Sequence, residues 1–175
     1  IGEVRIVAER IIFHIDVNNA FISWTAVQLL EEGYNIDIRT IPAIIAGDES
    51  KRHGIVLAKS PIAKKYGIVT AETIYQAKMK CPNLKIFSPN HEIYQRKSKQ
   101  LMNYLKTFTP IMEQFSIDEC FLDMTGTKYL YTNHLELAYK IKDEIKETSG
   151  VTVLEAIRNN RILAKKTSDS GKPDI

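Results

Sequence analysis

Residues 10–17 read RIIFHIDV, a run so rich in β-branched and apolar side chains that it belongs in the interior of a sheet, yet it carries a carboxylate, Asp16, near its end. From Asn19 the pattern turns helical: Phe21, Trp24, Val27 and Leu30 recur every three residues along one broad face. Glu31 and Glu32 end that face, and Gly33 supplies a C-terminal stop. Residues 41–46 and 55–58 read as short strands. Ser60-Pro61 then sets an N-cap before a proline at the first helical position, and Gly67 closes a short helix bearing Lys64 and Lys65. A second short helix is expected over 71–80, ended by Pro82, with a brief strand at 84–87.

The second half continues with a longer helix over 91–108, closed by Pro110. Residues 111–116 and 120–124 form a predicted hairpin with Ile117, Asp118 and Glu119 at its junction. A helix over 133–148 stops at Gly150, a strand covers 151–154, and a basic helix covers 159–168. Setting aside the segment from Asn19 to Asn83, and passing over the brief strand after it, leaves strand, helix, strand, strand, helix, strand. That is the split βαβ, or ferredoxin-like, order. The expected fold class is therefore α+β, ferredoxin-like, with a small α/β insertion.

In that topology the first and third strands of the series are neighbours at the centre of the sheet. Asp16 is thereby brought towards Asp118 and Glu119, although 102 positions separate Asp16 from Asp118. Carboxylates that converge repel one another unless a cation lies among them. Magnesium takes oxygen ligands and keeps several waters, so a few carboxylates plus a substrate phosphate suit it. Taken alone, an Asp-Glu pair at a hairpin tip is most often a solvated turn. Adjacent strand residues also point to opposite faces, so both reach one ion only if the turn rotates one of them.

The segments DVNNAF (16–21) and SIDECFLD (116–123) resemble the two carboxylate motifs of Y-family DNA polymerases. GIVLAKSPIAKKYGI (54–68), CPNLKIFSPNHEIY (81–94) and NNRILAKKTSDSGKP (159–173) resemble other segments of that family in the same order. The resemblance runs from Ile12 to the end of the chain. It implies a catalytic palm from residues 1–18 and 84–157, fingers from 19–83, and the start of a thumb from 158–175, with the thumb and little-finger domains themselves absent. It further implies that Asp16, Asp118 and Glu119, with the Val17 carbonyl, hold two magnesium ions, one activating the primer 3′-hydroxyl and the other neutralising the triphosphate. Phe21 falls where the family has an aromatic that excludes a 2′-hydroxyl. Lys64 and Lys165 fall at positions that grip the incoming triphosphate, as point charges rather than bidentate forks. The implied activity is template-directed DNA synthesis in DNA damage tolerance. The implied partners are primed template DNA, a dNTP and a sliding clamp reached through a region outside this chain.

The match has departures. Asn18 stands where many members carry a second acid, Ala20 where an aromatic is common, and Ser60-Pro61 where many have a tyrosine. Leu154-Glu155-Ala156 replaces a small residue, an apolar one and glycine. A buried, unpaired Glu155 on a central strand would be costly, so that strand is expected at a sheet edge or in a rearranged chain end.

Charge adds modest support. The net charge is +3, with basic residues gathered at Lys51, Arg52, Lys59, Lys64 and Lys65 and again at Arg158, Arg161, Lys165, Lys166 and Lys172. Such clusters neutralise phosphates in a salt-dependent way. Cys81 and Cys120 have no CxxC spacing and read as free thiols of a reducing cytoplasm. His14, His53, His91 and His134 are scattered singly and read as structural or solvent-facing. No apolar run approaches the ~18 residues of a membrane span, and neither a P-loop nor an HExxH string occurs. Because fold alone does not choose function, other readings stand beside the polymerase: an RNA-recognition sheet, which needs exposed aromatics on its central strands, a nucleotide cyclase, and an inactive polymerase fragment serving as a nucleic-acid-binding or accessory module.

Overall fold

The computed structural model describes residues 10–47 and 54–158. Its elements run β1 (Ile12–Val17), α1 (Ala20–Glu31), a short 3-10 turn (Ile38–Thr40), β2 (Ala43–Ala46), β3 (Val56–Lys59), α2 (Pro61–Lys65), α3 (Ile74–Lys80), β4 (Lys85–Phe87) and α4 (His91–Leu105). These are followed by β5 (Met112–Ser116), β6 (Glu119–Asp123), α5 (His134–Ser149) and β7 (Val153–Arg158).

Four strands make one sheet in the order β5-β6-β1-β7. Both neighbours of β1 run antiparallel to it, and with α4 and α5 as crossovers this is the expected ferredoxin-like arrangement. Strand alternation sends Phe13, Ile15 and Val17 to one face, where they join Cys120, Leu122 and Val153. Trp24 and Val27 of α1, Leu101 and Leu105 of α4, and Ile141 and Ile145 of α5 complete that core. His14 and Asp16 point to the other face.

The insertion has a sheet of its own, ordered β3-β2-β4. Lys85–Phe87, placed beyond the expected boundary at residue 84, pairs in parallel with β2 of this sheet. A three-residue apolar strand does not announce its partner, and β2 is buried on both sides and needs a second neighbour. Ile44 and Ala46 face a core with Val56, Ala63, Ile74 and Cys81. Ala43 and Ile45 face a separate core with Ile22 and Ala26 of α1. α1 thus packs on both units and buries more than the single face read from the sequence; Leu30, placed on that face, is 40% exposed.

Local signals explain most ends. The Ser60 hydroxyl accepts the Ala63 N–H at 3.1 Å, and it also links Ala43 N–H and Ile41 C=O. Gly33, Gly67 and Gly150 adopt positive φ, as helix stops commonly require. α3 begins at Ile74 rather than 71, because Thr73 and Gln76 form a capping box and Ala71 is held at φ 71. β7 runs on to Arg158, well past the expected end at 154. The basic helix expected over 159–168, with Lys165, and the cations Lys51 and Arg52 lie outside the described residues. Among the described residues, no helix is long and apolar enough to cross a membrane.

Candidate active site

β1 and β6 place two carboxylates side by side: Asp16 is the register partner of Glu119. Both are buried, at 5% and 8% exposure, and His14, on the same face as Asp16, is fully buried. The three residues each offer one donor atom within 4.8 Å of the others. His14 Nε2 lies 2.7 Å from Glu119 Oε1, and its ring stacks on Phe121 at 4.8 Å. His14 Nδ1 is buried and has no hydrogen-bond partner among the described residues.

Asp118 sits differently. It occupies the tight turn between Ser116 and Glu119, off the pleat of either strand, so alternation does not force it away from Glu119. Its Oδ1 accepts a hydrogen bond from the Ser116 hydroxyl at 2.7 Å, and its backbone carbonyl accepts the Val17 N–H at 2.9 Å. The turn is braced from behind, since the Ser98 hydroxyl of α4 donates to the Ile117 carbonyl. The structure therefore brings Asp16, Glu119 and His14 into one cluster, with Asp118 tied to the adjoining backbone at Val17 and its carboxylate engaged by Ser116.

The chain leaves β1 through Asn19 at φ 45, a left-handed conformation that Asn tolerates. Asn18, at the position of a common second acid, instead donates from Nδ2 to Thr152 Oγ1 at 3.0 Å. Phe21, in the first turn of α1, is half-buried; its ring stacks on Tyr94 at 4.8 Å and meets His91 edge-on. Lys64 is exposed on α2. Cys81 and Cys120 are both free and buried, and burial, reinforced by the Glu119 and Glu155 carboxylates, pushes the Cys120 thiol up to about 12.

The donor set fits a hard divalent cation. Asp16 and Glu119 supply buried oxygens from neighbouring strands, whereas the Asp118 carboxylate, bonded to Ser116, is not among the donors gathered with them. His14 is the member that sequence reasoning set aside as an isolated histidine. The available signal was alternation: positions 14 and 16 of one strand share a face.

Glu155 resolves otherwise. Among the described residues β7 is an edge strand, as its carboxylate suggested, but position 155 pairs with Ile15 and shares the helix-covered face with Val153 and Ile157. Its Oε1 is buried with no hydrogen bond among the described residues, and burial pushes the carboxyl up to about 8, with Lys142 acting in the opposite direction.

Comparison with known proteins agrees with this architecture. The impB/mucB/samB family profile matches residues 15–169. The DNA polymerase IV of Clostridium acetobutylicum is 52% identical over 165 residues, covering 94% of this chain and 41% of that protein. The DNA polymerase IV of Acetivibrio thermocellus is 39% identical over 166 residues, covering 95% of this chain and 40% of that protein. Among solved structures, an insertion ternary complex of Dbh DNA polymerase superposes with TM-score 0.80 at 29% identity, covering 94% of this chain and 47% of that one. DinB from Sulfolobus solfataricus superposes with TM-score 0.79 at 30% identity, covering 93% and 46%. The chain thus spans less than half the length of these relatives. A profile matched over most of the chain, joined to the same fold, shows that it belongs to the impB/mucB/samB family of Y-family DNA polymerases.

Proposed function

We propose that this chain is the palm and fingers of a template-directed DNA polymerase of translesion type, joining dNTPs to a primer 3′-hydroxyl in DNA damage tolerance. The observation that carries the reading is the register of Asp16 opposite Glu119, two buried carboxylates from distant parts of the sequence on one face of the central strands. The four-stranded sheet is the palm in this reading, and residues 19 to 87 are the fingers, a boundary shifted to include β4.

Asp16, Asp118 and Glu119, with the Val17 carbonyl, would hold two magnesium ions. Bound divalent cations supply charge compensation for a triphosphate and lower the pKa of a hydroxyl nucleophile. The chain's own contribution is positioning. The β1–β6 register fixes the separation of Asp16 and Glu119, and Ser116 orients Asp118 at the turn. Phe21, backed by Tyr94, offers a flat ring in the first turn of α1 that would meet the sugar of an incoming nucleotide. Lys64 and Lys165 would attract its phosphates. Primed DNA and a dNTP are the partners proposed, together with a sliding clamp engaged through another part of a longer protein, and the location proposed is cytoplasmic.

The test is single-nucleotide extension of a primed template with Mg²⁺, comparing the wild-type chain with Asp118→Ala. Incorporation by the wild type and its loss in the variant are expected. Equal incorporation by both would remove the catalytic assignment. Inactivity of both would favour an accessory, nucleic-acid-binding role.

A further inference from the structure

We infer that His14 is a positioning residue for the metal site: its Nε2–H anchors one oxygen of Glu119 so that the carboxylate meets a divalent cation in a fixed orientation. The inference rests on the proposed reading of Asp16 and Glu119 as metal ligands.

A 2.7 Å contact to a carboxylate oxygen places the shared proton on Nε2 as the donor. Fixing one oxygen restricts the rotation of the Glu119 side chain, and with it the orientation of the whole carboxylate. The ring that performs this is itself fixed. It is fully buried, stacked on Phe121 at 4.8 Å with planes 22° apart, and held on a central strand between Phe121 and Ala156 in register.

The cost of this choice shows at the other nitrogen. Nδ1 is buried and makes no hydrogen bond among the described residues, and buried polar atoms in native folds are nearly always satisfied. A residue retained only to fill this space would be a phenylalanine, which stacks on Phe121 equally well and orphans no atom. The imidazole brings the N–H that hydrocarbon lacks, and that N–H goes to Glu119. Partners that orient a metal ligand without touching the ion typically command about 10- to 100-fold in metal affinity.

The experiment is Mn²⁺ titration of the whole chain, followed by the electron paramagnetic resonance of free Mn²⁺, with circular dichroism melts run beside it. His14→Phe retains the stack and removes the donor; it is expected to weaken Mn²⁺ binding about 10-fold or more without lowering the melting temperature. His14→Gln restores an N–H donor and is expected to recover most of the affinity. If Phe is not accommodated, His14→Leu takes its place.

Wild-type affinity in a folded His14→Phe or His14→Leu variant would overturn the inference while leaving the metal reading intact. Equal weakening in the donor-free variant and in His14→Gln would also overturn it, since the imidazole would then be bound to the ion itself or needed only for its shape. Absence of Mn²⁺ binding in the wild type would sink the metal reading and the inference together.

Discussion

Glu119 and Glu155 lie on opposite faces of one sheet, and both are removed from most of the surrounding water. Glu119 opens β6 with an imidazole N–H at 2.7 Å and Asp16 across the strand pair. Glu155 lies on β7 among Ile15, Val153 and Ile157, with Oε1 buried and unbonded among the described residues. Burial disfavours the charged form of a carboxyl, and only partners restore it. The Glu155 carboxyl is accordingly pushed up to about 8. The difference teaches that a buried acid is not a site by virtue of burial; what surrounds it decides whether it can meet a cation as an anion.

The largest effect that sharpens the contrast is expected from Glu119→Gln. It keeps the shape but removes the charge, and Mn²⁺ affinity and primer extension should fall by more than the ~100-fold that orienting partners command. Extension assays and metal titration on the variant check this; a change as small as that of a surface substitution would erase the distinction between the two acids.

Next comes Glu155→Leu, similar in size and free of the orphan oxygen. A buried acceptor left without a hydrogen bond costs about 1–3 kcal/mol, so the variant should melt several degrees higher near neutral pH. The pH dependence has a definite sign. The folded-state value of about 8 lies above the ordinary 4.5, so the folded state holds a proton that the unfolded state releases. Glu155 therefore favours folding most below about 4.5, and stability drains away as pH rises through the window up to about 8. Denaturant melts between those limits should show this decline in the wild type and a flatter profile in Glu155→Leu. Parallel profiles would mean that Glu155 finds a partner in solution.

The smallest effect concerns Cys120, which sits on β6 with both acids acting on it. Burial is the first cause of its raised thiol value and the two carboxylates follow. Glu155→Leu should then shift its titration only slightly, and alkylation at pH 8 should remain slow in both folded proteins. Fast alkylation in the variant alone would show that the carboxylate, rather than burial, protects the thiol.

Much of this arrangement was legible in the sequence. The order of elements was enough to seat the first and third strands of the ferredoxin-like series together, and with them Asp16 and the hairpin acids. The Ser60-Pro61 start and the stops at Gly33, Gly67 and Gly150 also followed from local chemistry. What escaped was mostly non-local. The parallel pairing of β4 with β2 depends on which edge is vacant, a property of the assembled insertion. The reach of β7 to Arg158 is set by pairing with Ile12, and an end placed at 154 hid the core-facing position of Glu155. Two omissions were local: the Thr73–Gln76 spacing matches a capping box, and the alternation of His14 with Asp16 was present in the strand itself. Whether Asp118 turns towards Ser116 or Glu119 depends on hydroxyl and backbone partners that a one-dimensional pattern does not rank.

The double burial of α1 has a practical consequence for anyone trimming this protein. Trp24 and Val27 serve one core while Ile22 and Ala26 serve another, so the helix is a wall common to two rooms. Excising everything from Gly33 to Phe87 and rejoining the ends would strip one side of that wall, leaving a greasy strip of the kind that drives soluble proteins to clump. A minimal palm carved from this chain would need Ile22 and Ala26 recoded as polar residues before it stayed in solution.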